Sequence, residues 1–252
     1  MSKLLDGVDA IGEVCVLTAE VGKNIFKGPF EWDLIFEQLQ RGGLDSWSIT
    51  ILTAVFTGMV MAMQFAIGLE PFGASMYTGK LVSLGIVREL GPVLTALLVG
   101  GRVGAGFTAE LGTMAVTEQI DAIRCLGASP VRKLVMPRVL AMTFIMPLLT
   151  VLADVIGCCG GAFITILQVE VTPAFAFNQM IETVSPTDLI HGLIKSVFFG
   201  YIIAILSCWV GMSARGGAES VGKATTSTVV YTSVTILIAD FLLTQFLMAV
   251  YG

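Results

Sequence analysis

The sequence has little charge and almost no histidine. Of its 252 residues, only 13% are charged and a single one is histidine, whereas 55% are hydrophobic. A soluble domain carries about 25% charged residues, so this chain has too few of them to cover a water-exposed surface. Its 14 Lys and Arg are outnumbered by 19 Asp and Glu, which argues against the basic patch of a nucleic-acid-binding protein. The composition therefore places the chain in a lipid bilayer.

Cysteine is also scarce, and its spacing fits neither a metal site nor a redox motif. The five cysteines all fall in apolar or helical contexts: Cys15, Cys125, Cys158, Cys159 and Cys208. None forms a CxxC pair, and two of them are adjacent in sequence. We interpret them as small apolar packing residues. Because the lone His191 cannot build a multi-histidine site, the sequence predicts neither a metal nor a cofactor bound by this chain.

Two glycine patterns resemble nucleotide sites without meeting their requirements. Gly73 to Lys80 ends like a phosphate loop, but five residues instead of four separate Gly73 from Gly79, and Leu81 replaces the hydroxyl residue that would bind magnesium. The GxGxxA pattern that begins at Gly104 has no strand before it. Neither pattern predicts a nucleotide-binding site.

Five apolar stretches are long enough to cross a membrane, since a spanning helix needs about 20 apolar residues. They cover residues 49–69, 90–116, 139–169, 189–212 and 229–250. The sequence thus predicts an all-α integral membrane protein with about five transmembrane helices, which form one membrane domain over residues 46–252.

Residues 1–45 differ from the rest because apolar and charged residues alternate at helical spacing. Ile11, Val14, Leu17 and Val21 recur among acidic and basic side chains. Such amphipathic helices can lie in the membrane interface. We predict an interfacial N-terminal arm over residues 1–45; the alternative is a cytosolic helix packed on a partner.

The loops predict the orientation. The connection over residues 118–138 holds Arg124, Arg132, Lys133 and Arg138, whereas residues 170–188 contain neither Lys nor Arg. By the positive-inside rule, the N-terminus is cytoplasmic and the C-terminus lies on the outer side. The predicted external stretch 70–89 carries two basic residues, which count against this orientation.

Charged residues within the apolar stretches are the strongest functional signal. The candidates are Arg88, Glu89, Arg102, Glu110, Asp154, Lys195 and Asp240. An ionisable group in hydrocarbon costs several kcal/mol, so it faces a partner, a cavity or the bundle interior. Arg88 and Glu89 precede Gly91 and Pro92, which start or kink the second helix. The pair could bind a lipid headgroup there; internal ion pairs that fix helix packing are the alternative.

Small residues spaced four apart predict close helix packing. Gly100 with Gly104, and Gly157 with Gly161, are small-xxx-small pairs, which let two helix backbones approach closely.

A short amphipathic helix is predicted in the basic loop. Ile120, Ile123 and Leu126 lie toward one side, Gly127 can cap the C-terminus, and Pro130 prevents continuation. A stiff helix there could transmit force from a docked partner, although a solvated connector fits equally well. The candidate coupling residues are Glu118, Gln119, Asp121, Arg124, Leu126, Gly127 and Pro130.

Long consecutive motifs carry a family resemblance. They are Arg88-Glu89-Leu90-Gly91-Pro92-Val93-Leu94, Gly101-Arg102-Val103-Gly104 and Thr108-Ala109-Glu110-Leu111-Gly112. Residues 117–122, 126–127, 137–138, 193–198, 223–226 and 239–241 continue it. Over about residues 45–250 the chain resembles the MlaE/YrbE family of ABC-transporter permeases; the N-terminal arm matches less specifically.

The resemblance implies a non-catalytic permease subunit in the inner membrane that pairs with a second copy of itself. It implies two copies of a separate ATPase, which would bind ATP and magnesium, an MCE-domain lipid-binding protein in the periplasm and, in some systems, a STAS-domain subunit. The implied substrate is phospholipid, moved between the inner membrane and outer-envelope carriers to maintain outer-membrane lipid asymmetry. Residues 118–130 would be the coupling helix, and four polar residues would lie near the lipid cavity: Arg88, Glu89, Lys195 and Asp240.

Two other functions remain open at this point. An ion-coupled secondary transporter or channel would use Asp154, Lys195 and Asp240 as a relay, although the buried charges are scattered and no second half mirrors the first. A membrane-embedded enzyme acting on lipid lacks a paired-carboxylate motif or metal constellation.

Overall fold

The computed structural model describes residues 2–25 and 32–251, which fold into α-helices joined by short turns. We number the helices α1 to α11 in chain order: Ser2–Ile25, Trp32–Gly43, Trp47–Leu69, Thr78–Gly85, Gly91–Val99, Ala105–Val116, Gln119–Cys125, Met136–Val169, Pro173–Thr183, Pro186–Met212 and Ala218–Tyr251. The predicted all-α class is confirmed for this part of the chain.

Five helical segments are long and apolar enough to cross a membrane, as predicted. They run over residues 32–72, 75–116, 131–169, 186–212 and 218–250. The second begins at Ser75, whereas the sequence predicts its start near Leu90. The difference arises because the charged residues Arg88 and Glu89 lie inside a continuous helical segment instead of ahead of it.

A π-helical turn over Ile86–Leu90 accommodates the proline at position 92. Pro92 has no N–H to donate to the carbonyl of Arg88 four residues earlier, and a proline ring crowds that carbonyl in a regular α-helix. The wider turn relieves this, and the N–H of Gly91 reaches the carbonyl of Ile86. Two further π turns lie at Gly100–Gly104 and Val131–Val135.

The N-terminal arm is helical where it is described. α1 buries Leu17 and Val21, while Ile11 and Val16 stay largely exposed. Trp209 Nε1 of α10 donates a hydrogen bond to Glu13 Oε2 at 2.8 Å, which fastens α1 to its own chain. Residues 26–31 of the predicted arm lie outside the described residues. Its position in the membrane interface stays a prediction.

The chain divides into two compact units. The first gathers residues up to 44, 99–145 and 199–238, and the second gathers 45–98, 146–198 and 239 onward. In the first unit, Leu111, Met142 and Ile203 are fully buried. Beside them the hydroxyl groups of Thr108 and Thr228 lie 2.8 Å apart, so the buried polar groups of α6 and α11 satisfy each other.

In the second unit α3 and α8 approach at glycine positions. A Cβ atom on Gly58 would lie 1.9 Å from the carbonyl oxygen of Gly157, and one on Gly160 would lie 2.6 Å from that of Val55. The two backbones therefore touch, as small-residue contacts between membrane helices allow. Around this crossing the unit buries Ala62, Val82, Ile86, Ala162 and Met180.

The close crossing predicts a strong position dependence for glycine substitution in α3. Gly58→Ala should destabilise the protein by about 1–3 kcal/mol, because the added methyl group overlaps the backbone of α8. Gly68→Ala in the same helix is the control, since nothing lies within 4 Å of a Cβ there. Thermal unfolding in detergent measures both variants. Equal melting temperatures would contradict the assigned contact.

Candidate functional site

A lysine ammonium group is the centre of the candidate site, which lies in the second unit. Only 2% of the Lys195 side chain is exposed, and its Nζ lies 2.6 Å from Glu89 Oε2 and 3.0 Å from Asp240 Oδ1. Glu89 comes from the π turn before α5, Lys195 from α10 and Asp240 from α11. One buried cation therefore joins three helical segments.

The third contact of Lys195 is a backbone carbonyl that the proline of the second span leaves without a helical donor. Lys195 Nζ donates to the backbone carbonyl of Arg88 at 3.2 Å. This is the carbonyl that Pro92 cannot serve, because proline has no N–H. Glu89 Oε2 receives an aligned hydrogen bond, whereas Asp240 Oδ1 is an ion-pair contact without hydrogen-bond alignment. The Lys195 charge is thus compensated on three sides.

A second ion pair lies beside the first. Nε and Nη2 of Arg88 contact Asp188 Oδ1 at 2.6 and 2.5 Å. Asp188 also completes the N-terminal cap of α10: its Oδ2 accepts from the Ser185 backbone N–H at 2.9 Å, and its own N–H donates to Ser185 Oγ at 3.3 Å. This reciprocal capping box fixes the carboxylate that holds Arg88.

Arg88, Glu89 and Lys195 line a cavity of about 320 Å³, which we call the charged cavity, whereas their partners Asp188 and Asp240 lie behind its wall. Most of the residues in its wall are polar: Arg88, Glu89, Ser185, Thr187, His191, Lys195 and Thr244. Leu247 and Met248 of α11 add apolar surface. The Arg88 and Glu89 side chains remain 44% and 41% exposed, so both can contact a polar group that enters.

The structure brings the four predicted cavity residues close together, and it shows which partners they have, which the sequence leaves open. Arg88 pairs with Asp188, and Glu89 with Lys195. Sequence reasoning missed Asp188, although Ser185-Pro186-Thr187-Asp188 carries the signal of a capping box with proline at the first helical position. It also missed Thr244, whose hydroxyl lies 3.4 Å from Glu89 Oε1.

Asp154 lies on the wall of another cavity, with Val155 and Cys158. A relay through Asp154, Lys195 and Asp240 would need all three groups in sequence, but only the last two are in contact. Glu110 belongs to the first unit, where Arg138 Nη2 contacts it at 2.8 Å and Arg41 Nη1 at 3.6 Å.

The predicted coupling residues also lie in the first unit. Glu118 adopts a left-handed backbone conformation before α7, with φ of 60°. Ile120 is buried, and the exposed side chains of Asp121 and Arg124 form an ion pair at 3.0 Å. Leu126, which follows the helix, is 85% exposed.

A glycine cap ends α7. Gly127, at φ 77°, donates to the carbonyl of Arg124 at 3.0 Å, and the next residue, Ala128, donates to that of Ile123 at 3.2 Å. This bond pattern is a Schellman motif. Pro130 then precedes the π turn at Val131–Val135. α7 is a discrete helix whose far end presents Leu126.

The predicted packing glycines lie at contacts within the two units. In the first unit, a Cβ on Gly104 would lie 2.8 Å from Ser207 Oγ and one on Gly100 would lie 3.4 Å from Ile203. In the second unit, a Cβ on Gly161 would lie 2.6 Å from Cγ1 of Val82. Gly157 is the residue whose carbonyl touches Gly58.

The compensation of Lys195 predicts a specific stability pattern. Lys195→Met leaves two carboxylates without their shared cation, and removing one partner of a buried pair costs about 3–5 kcal/mol; we expect the lower end because Glu89 is partly exposed. Lys195→Met combined with Asp240→Asn should recover part of the loss. Thermal unfolding in detergent tests both variants. An identical loss in the two would show that the aliphatic stem of Lys195, and not its charge, stabilises the fold.

Comparison with known proteins adds an independent finding. The family model described as Permease MlaE matches residues 35–246. The chain is 39% identical over 236 residues to a probable ABC transporter permease protein of Rickettsia conorii, covering 94% of this chain and 91% of the relative. A probable ABC transporter permease protein of Synechocystis is 40% identical over 227 residues, which are 90% of this chain and 86% of the relative.

A plant protein is similar over nearly the same region. Protein TRIGALACTOSYLDIACYLGLYCEROL 1, chloroplastic, of Arabidopsis thaliana is 37% identical over 233 residues, which cover 92% of this chain and 67% of the relative.

Proposed function

Because this chain belongs to the MlaE permease family, we propose that it is the transmembrane subunit of an ABC transporter that moves phospholipid between the inner membrane and outer-envelope carriers. Such transport maintains outer-membrane lipid asymmetry. The observation that carries the proposal is the charged cavity, in which partly exposed Arg88 and Glu89 lie next to apolar Leu247 and Met248. A phospholipid headgroup needs the first kind of surface and its chains the second.

The name of a relative also refers to a lipid, although of another class. The Arabidopsis protein bears the name of a galactolipid, trigalactosyldiacylglycerol. For the present chain we propose a glycerophospholipid, because the guanidinium group of Arg88 is suited to bind a phosphate. The cavity also offers the partly exposed Glu89 carboxylate to a positively charged headgroup.

The energy source in this proposal is a separate ATPase. The Glu118–Pro130 segment would enter a groove on that subunit as the coupling helix, with exposed Leu126 at its tip and the Asp121–Arg124 pair on its surface. A helix with a buried anchor at Ile120 and a glycine-capped end is stiff enough to transmit a displacement. The ATPase dimer would bind ATP and magnesium, and this chain would have no catalytic role of its own.

The proposed assembly contains two copies of this chain, an MCE-domain protein on the periplasmic side and, in some systems, a STAS-domain subunit on the ATPase. We propose two copies because the family resemblance implies them; Phe241, Leu242 and Phe246, exposed on α11, would contact either the second copy or lipid. The proposed orientation has a cytoplasmic N-terminus and a periplasmic C-terminus, since five spans place the two ends on opposite sides and the basic loop faces inward.

Purification from native membranes tests the assembly directly. The tagged full chain, extracted in mild detergent, should bring down a P-loop ATPase, an MCE-domain protein and enriched phospholipid, all identified by mass spectrometry. Reconstituted proteoliposomes containing the chain alone should show no ion flux. Ion flux without any ATPase would favour the secondary transporter instead, for which the contact between Lys195 and Asp240 is the supporting observation.

Headgroup binding by Arg88 predicts different lipid content for two variants. Arg88→Gln should lower the phospholipid that co-purifies with the complex, because a hydrogen bond to a charged group contributes about 1.5–3 kcal/mol, or roughly ten-fold or more in affinity. Asp188→Asn is the matched control: it weakens the ion pair but retains the Arg88 charge. Phosphorus analysis per mole of complex gives the measurement. Unchanged lipid with a lower melting temperature in Arg88→Gln would assign Arg88 to packing.

Coupling through α7 makes a separate prediction. Charge reversal at Asp121 or Arg124 should reduce lipid-stimulated ATPase activity of the reconstituted complex to the rate without lipid, with the chain still folded. Glu219→Lys is the control, because Glu219 forms an equally exposed pair with Lys223 outside the segment. Full stimulation in the α7 variants would remove the coupling role from this helix.

A further inference from the structure

A second cavity lies in the second unit, and its wall is almost entirely apolar. It has a volume of about 370 Å³, within the range of about 300–1,000 Å³ that is common for small-molecule pockets. α8, α9 and the starts and ends of neighbouring helices supply its wall, which includes Val87, Asp154, Cys158, Phe177, Met180 and Leu189. We call it the apolar cavity.

Asp154 is the one acidic side chain in this wall. It is 6% exposed, and its Oδ1 atom is buried without a hydrogen-bond partner among the described residues. The carboxyl group is held against α5, because a Cβ on Gly91 would lie 1.8 Å from Oδ1. Ser83 of the same wall already donates its hydroxyl to the carbonyl of Lys80 at 3.1 Å. Because Oδ1 is buried against α5, an occupant reaches the carboxyl group through its other oxygen, and no basic side chain of the described wall compensates Asp154.

The contrast with the charged cavity shows what is missing. There, Glu89 and Asp240 share the ammonium group of Lys195. In the wall of the apolar cavity, no lysine, arginine or histidine of the described chain takes part. A carboxylate buried in an apolar setting is unfavourable unless it is paired with a cation or a hydrogen-bond donor. An occupant can supply what the wall does not.

We propose that the apolar cavity binds an amphiphile with a primary ammonium group, whose hydrocarbon chain packs on Phe177, Met180 and Leu189 and whose ammonium group donates to Asp154. An aminolipid and a simple alkylamine share this chemistry. An alkyl carboxylate cannot supply the positive charge that Asp154 lacks, and an alkyl alcohol makes only a neutral donor contact. The site stands apart from the proposed transport function, because it uses none of the side chains that line the charged cavity.

The entrance also suits a hydrocarbon chain. Phe177 and Ile181 on α9 are 44% and 72% exposed beside the cavity, as is Val155 on α8 at 56%. These exposed apolar side chains give a hydrocarbon chain an apolar path into the cavity.

Thiol protection tests the proposal, because Cys158 is half-buried in the wall. The purified full chain in detergent is treated at pH 7 with N-ethylmaleimide in the presence of dodecylamine, dodecanol or dodecanoate, and alkylation of Cys158 is followed by peptide mass spectrometry. Cys125, exposed on α7, reports the reactivity of the reagent in each sample. Dodecylamine should protect Cys158 at about one tenth of the concentration that dodecanol requires, because the hydrogen bond from its ammonium group to Asp154 is charge-assisted.

Three variants test whether Asp154 and the apolar cavity cause the protection of Cys158. Asp154→Asn keeps the volume but removes the charge, and should abolish the preference for the amine while retaining protection by the alcohol. Glu182→Gln on α9 removes an exposed charge outside the wall and should keep the preference. Val155→Trp fills the cavity, so Cys158 should react at the same rate with and without each compound. Equal protection by amine and alcohol in the unsubstituted chain, or a preference that survives in Asp154→Asn, would overturn the proposal.

Discussion

The buried ammonium group of Lys195 is the constraint on which the second unit depends. It compensates Glu89 from the π turn and Asp240 from α11, and it serves the Arg88 carbonyl that Pro92 leaves without its helical donor. A cation in an apolar helix bundle is tolerated only with such compensation. Because Lys195 on α10 joins the π turn and α11, none of these three segments can shift alone without leaving a charge uncompensated. The charged groups that stabilise the second unit therefore include side chains to which we assign headgroup binding.

Much of the architecture could be predicted, because the signals involved are local. Hydropathy identifies five spans, and the glycine and proline near residues 127–130 delimit α7. The start of the second span could not be predicted from the sequence, since the charged residues Arg88 and Glu89 look like the flank that precedes a membrane helix. Their partners, Asp188 and Lys195, lie about one hundred residues away, and a single sequence carries no signal that joins them.

The candidate site shows the same division between local and distant information. The family resemblance predicts Arg88, Glu89, Lys195 and Asp240 as cavity residues, but it does not predict how they pair; the first three line the charged cavity, and Asp240 contacts Lys195. Asp188 could have been found by its capping box, whereas its bond to Arg88 depends on how α10 packs against the π turn. Asp154 was recognisable as a buried charge. That its surroundings leave it uncompensated is a property of the folded chain alone.

The π turn at Ile86–Leu90 has a consequence for how this segment can change in evolution. A π turn holds one residue more than an α-helical turn, and each residue in a helix rotates the chain by about 100°. Loss of one residue here would replace the π turn by an α-helical one, in which Pro92 would again crowd a carbonyl, and it would turn every preceding side chain of the segment away from its present direction. Val87 now faces the apolar cavity, whereas Arg88 and Glu89 face the charged one. A single-residue deletion would therefore reassign which side chains line which cavity, even though each amino acid retained its identity.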